Sequence, residues 1–172
     1  MFRYRLPSGA DGATITASRP ESNPHMLSNK AKYGLKAMFF LARRVKGEPV
    51  GIEEIARSEQ IPKKFLDAIL LELRNTGLLY SRKGRGGGYS LLLSPAEISI
   101  GRIVRVLDGP LAPIRCASKT AYRACDDCPS PGACQTRRVM QQVRDATASV
   151  LDNMTLADVI GAPAEPQLDP VP

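Results

Sequence analysis

The sequence predicts a mainly α fold with one small β-hairpin and a long helix near its C-terminus, and three observations predict it. Apolar residues recur at three- and four-residue steps from about Met26 to Leu107. The basic glycine turn Arg82-Lys83-Gly84-Arg85-Gly86-Gly87-Gly88-Tyr89 lies between two short apolar runs. Beyond Cys134, the residues Thr136, Met140, Val143, Thr147 and Val150 step by four, three, four and three, the spacing of a coiled-coil seam. Helices followed by a cationic hairpin are the order of a winged helix-turn-helix, and the seam adds a long C-terminal dimerisation helix.

The elements follow in order. Residues 1–25 hold Pro7, Gly9, Gly12, Pro20 and Pro24 with little apolar periodicity, which predicts a disordered N-terminal tail. Met26 opens the ordered pattern and is a candidate physiological start. From Ser28, the residues Gly34, Ala37, Met38, Leu41 and Val45 form the stripe of a first helix ending near Gly47. Ile52, Ile55 and Ala56 make a short second helix, and Glu59-Gln60-Ile61 the turn after it. Pro62 sits where a first helical turn tolerates proline, and Leu66, Ile69, Leu70 and Leu73 give the third helix its inner face. Gly77 ends that helix, and Leu78 to Ser81 and Tyr89 to Leu93 are the strands of the wing. A fourth helix runs from about Ser99 to a stop at Gly109-Pro110. Leu111 to Ala133 then form a loop of a length that is uncommon unless something orders it. The seam helix follows, and Thr155 with Asp158 predicts a capping box before Leu156 to Ile160. The expected division is a tail at 1–25, a winged helix-turn-helix DNA-binding domain at 26–94, the cysteine loop and dimerisation helices at 95–160, and a disordered tail at 161–172.

Charge narrows the function. The chain of 172 residues carries a net charge of +7, and the excess is local. Residues 26–94 contain thirteen basic and six acidic side chains, whereas residues 95–172 contain eight and nine. A basic patch attracts nucleic acid or an anionic surface, and the helix order favours double-stranded DNA. No apolar run approaches the ~20 residues a membrane-spanning helix needs, and the first residues lack the apolar core of a signal peptide. A cytoplasmic location without a membrane partner is expected.

Lys63 and Lys64 fall in the first turn of the third helix, where side chains reach phosphates or base edges. Asp67, one turn later, has the acceptor that a cytosine amino group requires. Arg82, Lys83 and Arg85 converge on the wing, whose glycines permit close approach to a strand. Ser28 and Lys30 at the start of the first helix are further candidates for a phosphate, although capping also accounts for Ser28. Tyr33, Phe39, Phe40, Phe65 and Tyr89 read as core.

All four cysteines, Cys116, Cys125, Cys128 and Cys134, lie close together in or beside the loop. Such clustering in a cytoplasmic chain points to metal or redox chemistry more than to structural disulfides. Thiolates suit an iron-sulfur cluster and also a zinc tetrahedron, and a metal-free thiol switch remains an alternative. A zinc-stabilised interaction module and a thiol oxidoreductase are competing classes. Asp126 and Asp127 beside the Cys125–Cys128 pair raise rather than lower a thiol pKa, and no nucleophile triad or nucleotide fingerprint accompanies them, so no enzyme activity is expected.

With wing and cysteine loop taken together, the chain resembles the Rrf-two (BadM-like, IscR/NsrR-related) family of bacterial transcriptional regulators. The resemblance is carried by Leu27-Ser28-Asn29-Lys30-Ala31-Lys32-Tyr33-Gly34-Leu35, by Ile61-Pro62-Lys63-Lys64-Phe65-Leu66 and by Arg85-Gly86-Gly87-Gly88-Tyr89. It implies a homodimer on a partly palindromic operator, with the helix after Cys134 forming much of the interface. It also implies that loop cysteines hold an iron-sulfur cluster. The family loop typically supplies three cysteines. Here Cys128 and Cys134 keep the spacing, the first ligand is Cys116 or Cys125, and a fourth thiol is present. Where some members carry a histidine one turn beyond the last cysteine, this chain has Arg137, and Lys32 stands where others carry an aspartate. His25, the only histidine, lies in the expected tail, so four thiolates are the simplest ligand set and the cluster type stays open.

Overall fold

The computed structural model describes residues 27–45, 47–128 and 130–162. Met26, His25 and the expected tail at 1–25 lie outside these, as does most of the expected C-terminal tail. The elements in chain order are α1 (Asn29–Ala42), α2 (Ile52–Glu59), α3 (Lys63–Asn75), β1 (Leu79–Arg82), β2 (Gly88–Leu91), α4 (Ile100–Asp108), α5 (Gln135–Asn153) and α6 (Leu156–Gly161). Short 3-10 turns occupy Pro95–Glu97 and Arg115–Ala117. The mainly helical architecture with a two-stranded wing and a long C-terminal helix is the one expected.

Local chemistry sets the boundaries. The Ser28 side chain accepts from the Ala31 N–H and starts α1. α1 ends at Ala42, earlier than its apolar stripe suggested, because the chain must turn back to bring Val50 against the wing. Val45, expected on the inner face, is therefore outside the helix and 69% exposed. Gln60 closes α2 in the left-handed conformation, φ 54°, and the chain re-enters helix after Pro62. Ser99 caps α4, and the expected capping box of Thr155 and Asp158 opens α6. Gly161, assigned in advance to the tail, is the last residue of α6.

The core gathers the inner faces of α1 to α4, with Leu78 and Leu79 at the wing and Leu156 from α6. Met38, Ile55, Leu66, Ile69, Leu70, Leu73 and Ile103 are all essentially inaccessible, the burial that a three- and four-residue periodicity is built to give. Gly34 lets α1 and α4 touch: a Cβ there would lie 2.1 Å from Leu107 Cδ1. The hairpin pairs Leu79 with Leu91 and Arg82 with Gly88 in antiparallel register. Val50 extends it, since the Val50 N–H donates to the Tyr89 carbonyl and the Tyr89 N–H to the Val50 carbonyl, both at 2.9 Å.

α5 differs from the other long helices in burying no residue. It lies along α4, joined by the Arg105–Asp152 ion pair at 2.5 Å. Of the residues of the expected seam, Val143 and Val150 are exposed, whereas Met140 and Thr147 are half-buried. Val139 and Ala146 are exposed as well, so an exposed stripe runs Val139, Val143, Ala146, Val150. A spacing of three or four cannot distinguish these neighbouring stripes. No described helix is long and apolar enough to cross a membrane.

Candidate functional site

Two sites emerge, one on α3 and the wing and the other around the cysteines. Lys63, Lys64 and Asp67 are all exposed at the start of α3. Lys63 pairs with Glu53 of α2 at 2.5 Å, and that hydrogen bond raises the lysine pKa and lowers that of Glu53. Both groups are more than half exposed, so the pair is a weak surface contact that exchanges readily. Lys64 is exposed and makes no ion pair with another described residue. On the wing, Arg82 donates to the Gly86 carbonyl at 2.8 Å and so braces the turn, while Lys83 and Arg85 stand exposed at its tip.

The candidates on α1 are engaged within the fold. The Ser28 N–H donates to Asp108 at 2.9 Å, and the Ser28 hydroxyl also contacts that carboxylate while capping α1. Lys30 pairs with Glu72 of α3 at 2.6 Å, tying the two helices. One expectation is overturned: Phe65, read as core, is 61% exposed. Its residue type fits an interior, but the buried stripe of α3 is already filled by Leu66, Ile69, Leu70 and Leu73.

The second site is built where the loop folds back on α5. Cys116, in the 3-10 turn, is buried, Cys125 is exposed, and Cys128 and Cys134 lie at intermediate depth. All four line one cavity of about 480 Å³ together with Ile114, Asp127 and Thr136. Contact with Cys116, loss of solvation and the nearby Asp127 charge raise the Cys125 pKa. Partial burial first, then the contact with Cys134, raises that of Cys128. Any metal must therefore displace protons from these sulfurs. Cys134 also caps α5, its sulfur accepting from the Arg137 N–H at 3.4 Å.

Two arginines strap this loop to α5. The Arg137 Nε donates to the Cys116 carbonyl at 2.8 Å and its Nη1 to the Pro131 carbonyl at 3.4 Å, while its guanidinium stacks 5.5 Å from the Tyr122 ring centre. Arg144 reaches the Ala117 carbonyl and pairs with Asp145, which Lys119 also contacts at 2.9 Å. Sequence reasoning noted Arg137 only as the residue replacing a histidine. Its bonds to distant carbonyls leave no local pattern.

The donor chemistry fits a sulfur-ligated group. Among the described residues, no three Cys, His, Asp or Glu side chains are grouped closely enough to hold a metal ion. The four thiols nevertheless line one cavity, and thiolate donors suit an iron-sulfur cluster and zinc alike.

Comparison with known proteins places these features in context. Residues 27–162 match the Rrf2 family profile, described as an iron-dependent transcriptional regulator. The chain is 45% identical over 140 residues to an rrf2-like HTH-type transcriptional regulator of Rhodobacter capsulatus, covering 80% of this chain and 93% of the relative. Among solved structures, CymR, the global cysteine regulator of B. subtilis, aligns with a TM-score of 0.64 at 33% identity, covering 78% of this chain and 95% of that one. IscR of T. potens aligns with a TM-score of 0.62 at 31% identity, covering 78% and 85%.

Proposed function

Because this chain belongs to the Rrf2 family and is a DNA-binding transcriptional regulator, not an enzyme, we propose that it acts as a homodimer whose four cysteines hold an iron-sulfur cluster that sets operator affinity. The observation that carries this reading is the single cavity lined by Cys116, Cys125, Cys128 and Cys134 at the N-terminus of α5. When bound, the cluster supplies electron exchange and sensitivity to iron supply and oxidants.

The chain's own residues do the rest. Lys64 and the wing residues Lys83 and Arg85 contact DNA phosphates, and Lys63 exchanges Glu53 for phosphate at little cost. Asp67 offers its carboxylate to a base edge, and Arg82 holds the wing in shape. Ser28 and Lys30 position the start of α1 beside this face through Asp108 and Glu72. Two copies pair through the outer stripe of α5. Arg137 and Arg144 then carry a change in the loop into that helix, so loop and DNA occupancy are linked as two biased states of one dimer.

The test is the visible spectrum of anaerobically purified protein with iron, acid-labile sulfide and zinc analysis of the same sample. Colour with matching iron and sulfide is expected. Colourless zinc protein overturns the cluster in favour of a structural ion. Colourless metal-free protein leaves the second reading, a thiol switch, which the gathering of four thiols around one cavity favours. Charge reversal at Lys63 or Arg85 tests the DNA face: specific binding should be abolished, and retained tight binding removes the assignment.

A further inference from the structure

Phe65 serves neither the core nor the charge of α3. On the same helix Leu66, Ile69, Leu70 and Leu73 are 0 to 1% exposed, while Phe65 stands 61% in solvent. It is not alone: Ala68 and Leu71 follow at steps of three and are exposed as well. They form an apolar ridge beginning in the first turn beside Lys63 and Lys64. Keeping a phenyl ring in water costs free energy, and this ring sits on the basic face of a DNA-binding protein. The floor of the major groove displays one apolar group only, the C5 methyl of thymine.

We propose that Phe65 is a specificity-determining residue that packs its ring against a thymine methyl of the operator, making that base preferred over cytosine and over uracil in the same pairing. This rests on the reading of α3 as the helix that enters the groove. The flanking lysines engage phosphate and bring the ring down to the base edges, and the ring discriminates by shape and apolarity, with no hydrogen bond of its own. Removing one buried methyl group weakens binding by about four-fold.

The experiment uses the full chain and a duplex that this protein enriches from a random-sequence library. Each thymine is replaced in turn by deoxyuridine, which keeps the base pair and deletes only the methyl. Affinities are read by fluorescence anisotropy for the wild type, Phe65→Ala and Phe65→Leu. At least one replacement should weaken the wild type by about four-fold. Phe65→Ala should bind the thymine duplex that much more weakly and be indifferent to the replacement, whereas Phe65→Leu should keep part of the methyl dependence. An undiminished methyl effect in Phe65→Ala, or no sensitive thymine in the wild type, overturns the proposal. Thermal unfolding of Phe65→Ala should match the wild type, since the ring fills no interior space. Lys64→Glu on the same duplex separates the two levels. If binding survives that reversal, α3 is not in the groove and the underlying reading fails. If binding is lost while Phe65→Ala remains methyl-sensitive, the role of Phe65 alone falls.

Discussion

The helices α1 to α4 and the region from the cysteine loop through α5 are held by different forces. In the first, side chains such as Met38, Ile55, Leu66 and Ile103 interlock with no accessible surface. In the second, α5 buries none of its residues, and the loop is fastened by arginines bonded to main-chain carbonyls. The first region buries most of its apolar surface in one core, leaving the ridge of Phe65, Ala68 and Leu71 in solvent. The second leaves an apolar stripe and four thiols still to be satisfied, by a second copy and a bound group in the function proposed above.

The largest expected effect lies in the first region. Leu73→Ala removes a side chain with 0% exposure and should lower unfolding free energy by about 2–5 kcal/mol, measured by urea titration. Val139→Ala, at 52% exposure, should stay within about 0.5 kcal/mol in dilute protein. Equal costs would mean that α5 is as firmly packed as α3, and the contrast would collapse.

Next comes the outer stripe of α5. Val143→Asp combined with Val150→Asp should raise the dimer dissociation constant about a hundred-fold or more by sedimentation, with helix content retained. An unchanged association constant would place the pairing surface elsewhere.

A smaller effect is expected at the strap. Arg137→Ala leaves the carbonyl of buried Cys116 without this donor, at a local cost of about 1–3 kcal/mol. Amide exchange over residues 114–134 should quicken about ten-fold or more, while residues 27–94 keep their protection. Uniform quickening would show that the two regions unfold together.

The smallest effect is a pH dependence. Hydrogen bonds from Arg144 first and Lys119 second hold the Asp145 carboxyl at about 2, below its ordinary 3.8. Since the folded value is depressed, this anchor contributes fully above about pH 4 and is lost as pH falls through about 2. Carboxyl NMR should report that midpoint, and Arg144→Gln should move it upward. A midpoint near the ordinary value would mean that the anchor is open in solution.

What the sequence disclosed follows from periodicity and punctuation. The inner faces of α1, α3 and α4, the Gln60 turn, the glycine wing and the Thr155–Asp158 box are all local patterns, and the fold contains them. Residue type misplaced Phe65, because apolarity signals an interior only when the interior has room. The exposed stripe of α5 differs from the expected seam because Val139 and Met140, adjacent in sequence, both satisfy a heptad step. Among the cysteines, clustering pointed to one site, but the shared cavity depends on how the loop returns to α5. Arg137 and Arg144 were invisible for the same reason: their acceptors are carbonyls at Cys116, Pro131 and Ala117, which any residue type supplies.

The bridge between Val50 and Tyr89 ties the wing to the chain entering α2. Gly88 makes the bridge possible, since a Cβ there would lie 2.1 Å from the Val50 carbonyl oxygen. Val50 leads directly into α2, which packs on α3, so the wing tip and the first turn of α3 are joined through a short, hydrogen-bonded path. They form the two jaws of a caliper whose spacing is set by the fold. In the function proposed above, a change at the loop is therefore expected to alter how one copy's caliper stands relative to the other's, with the span of each kept.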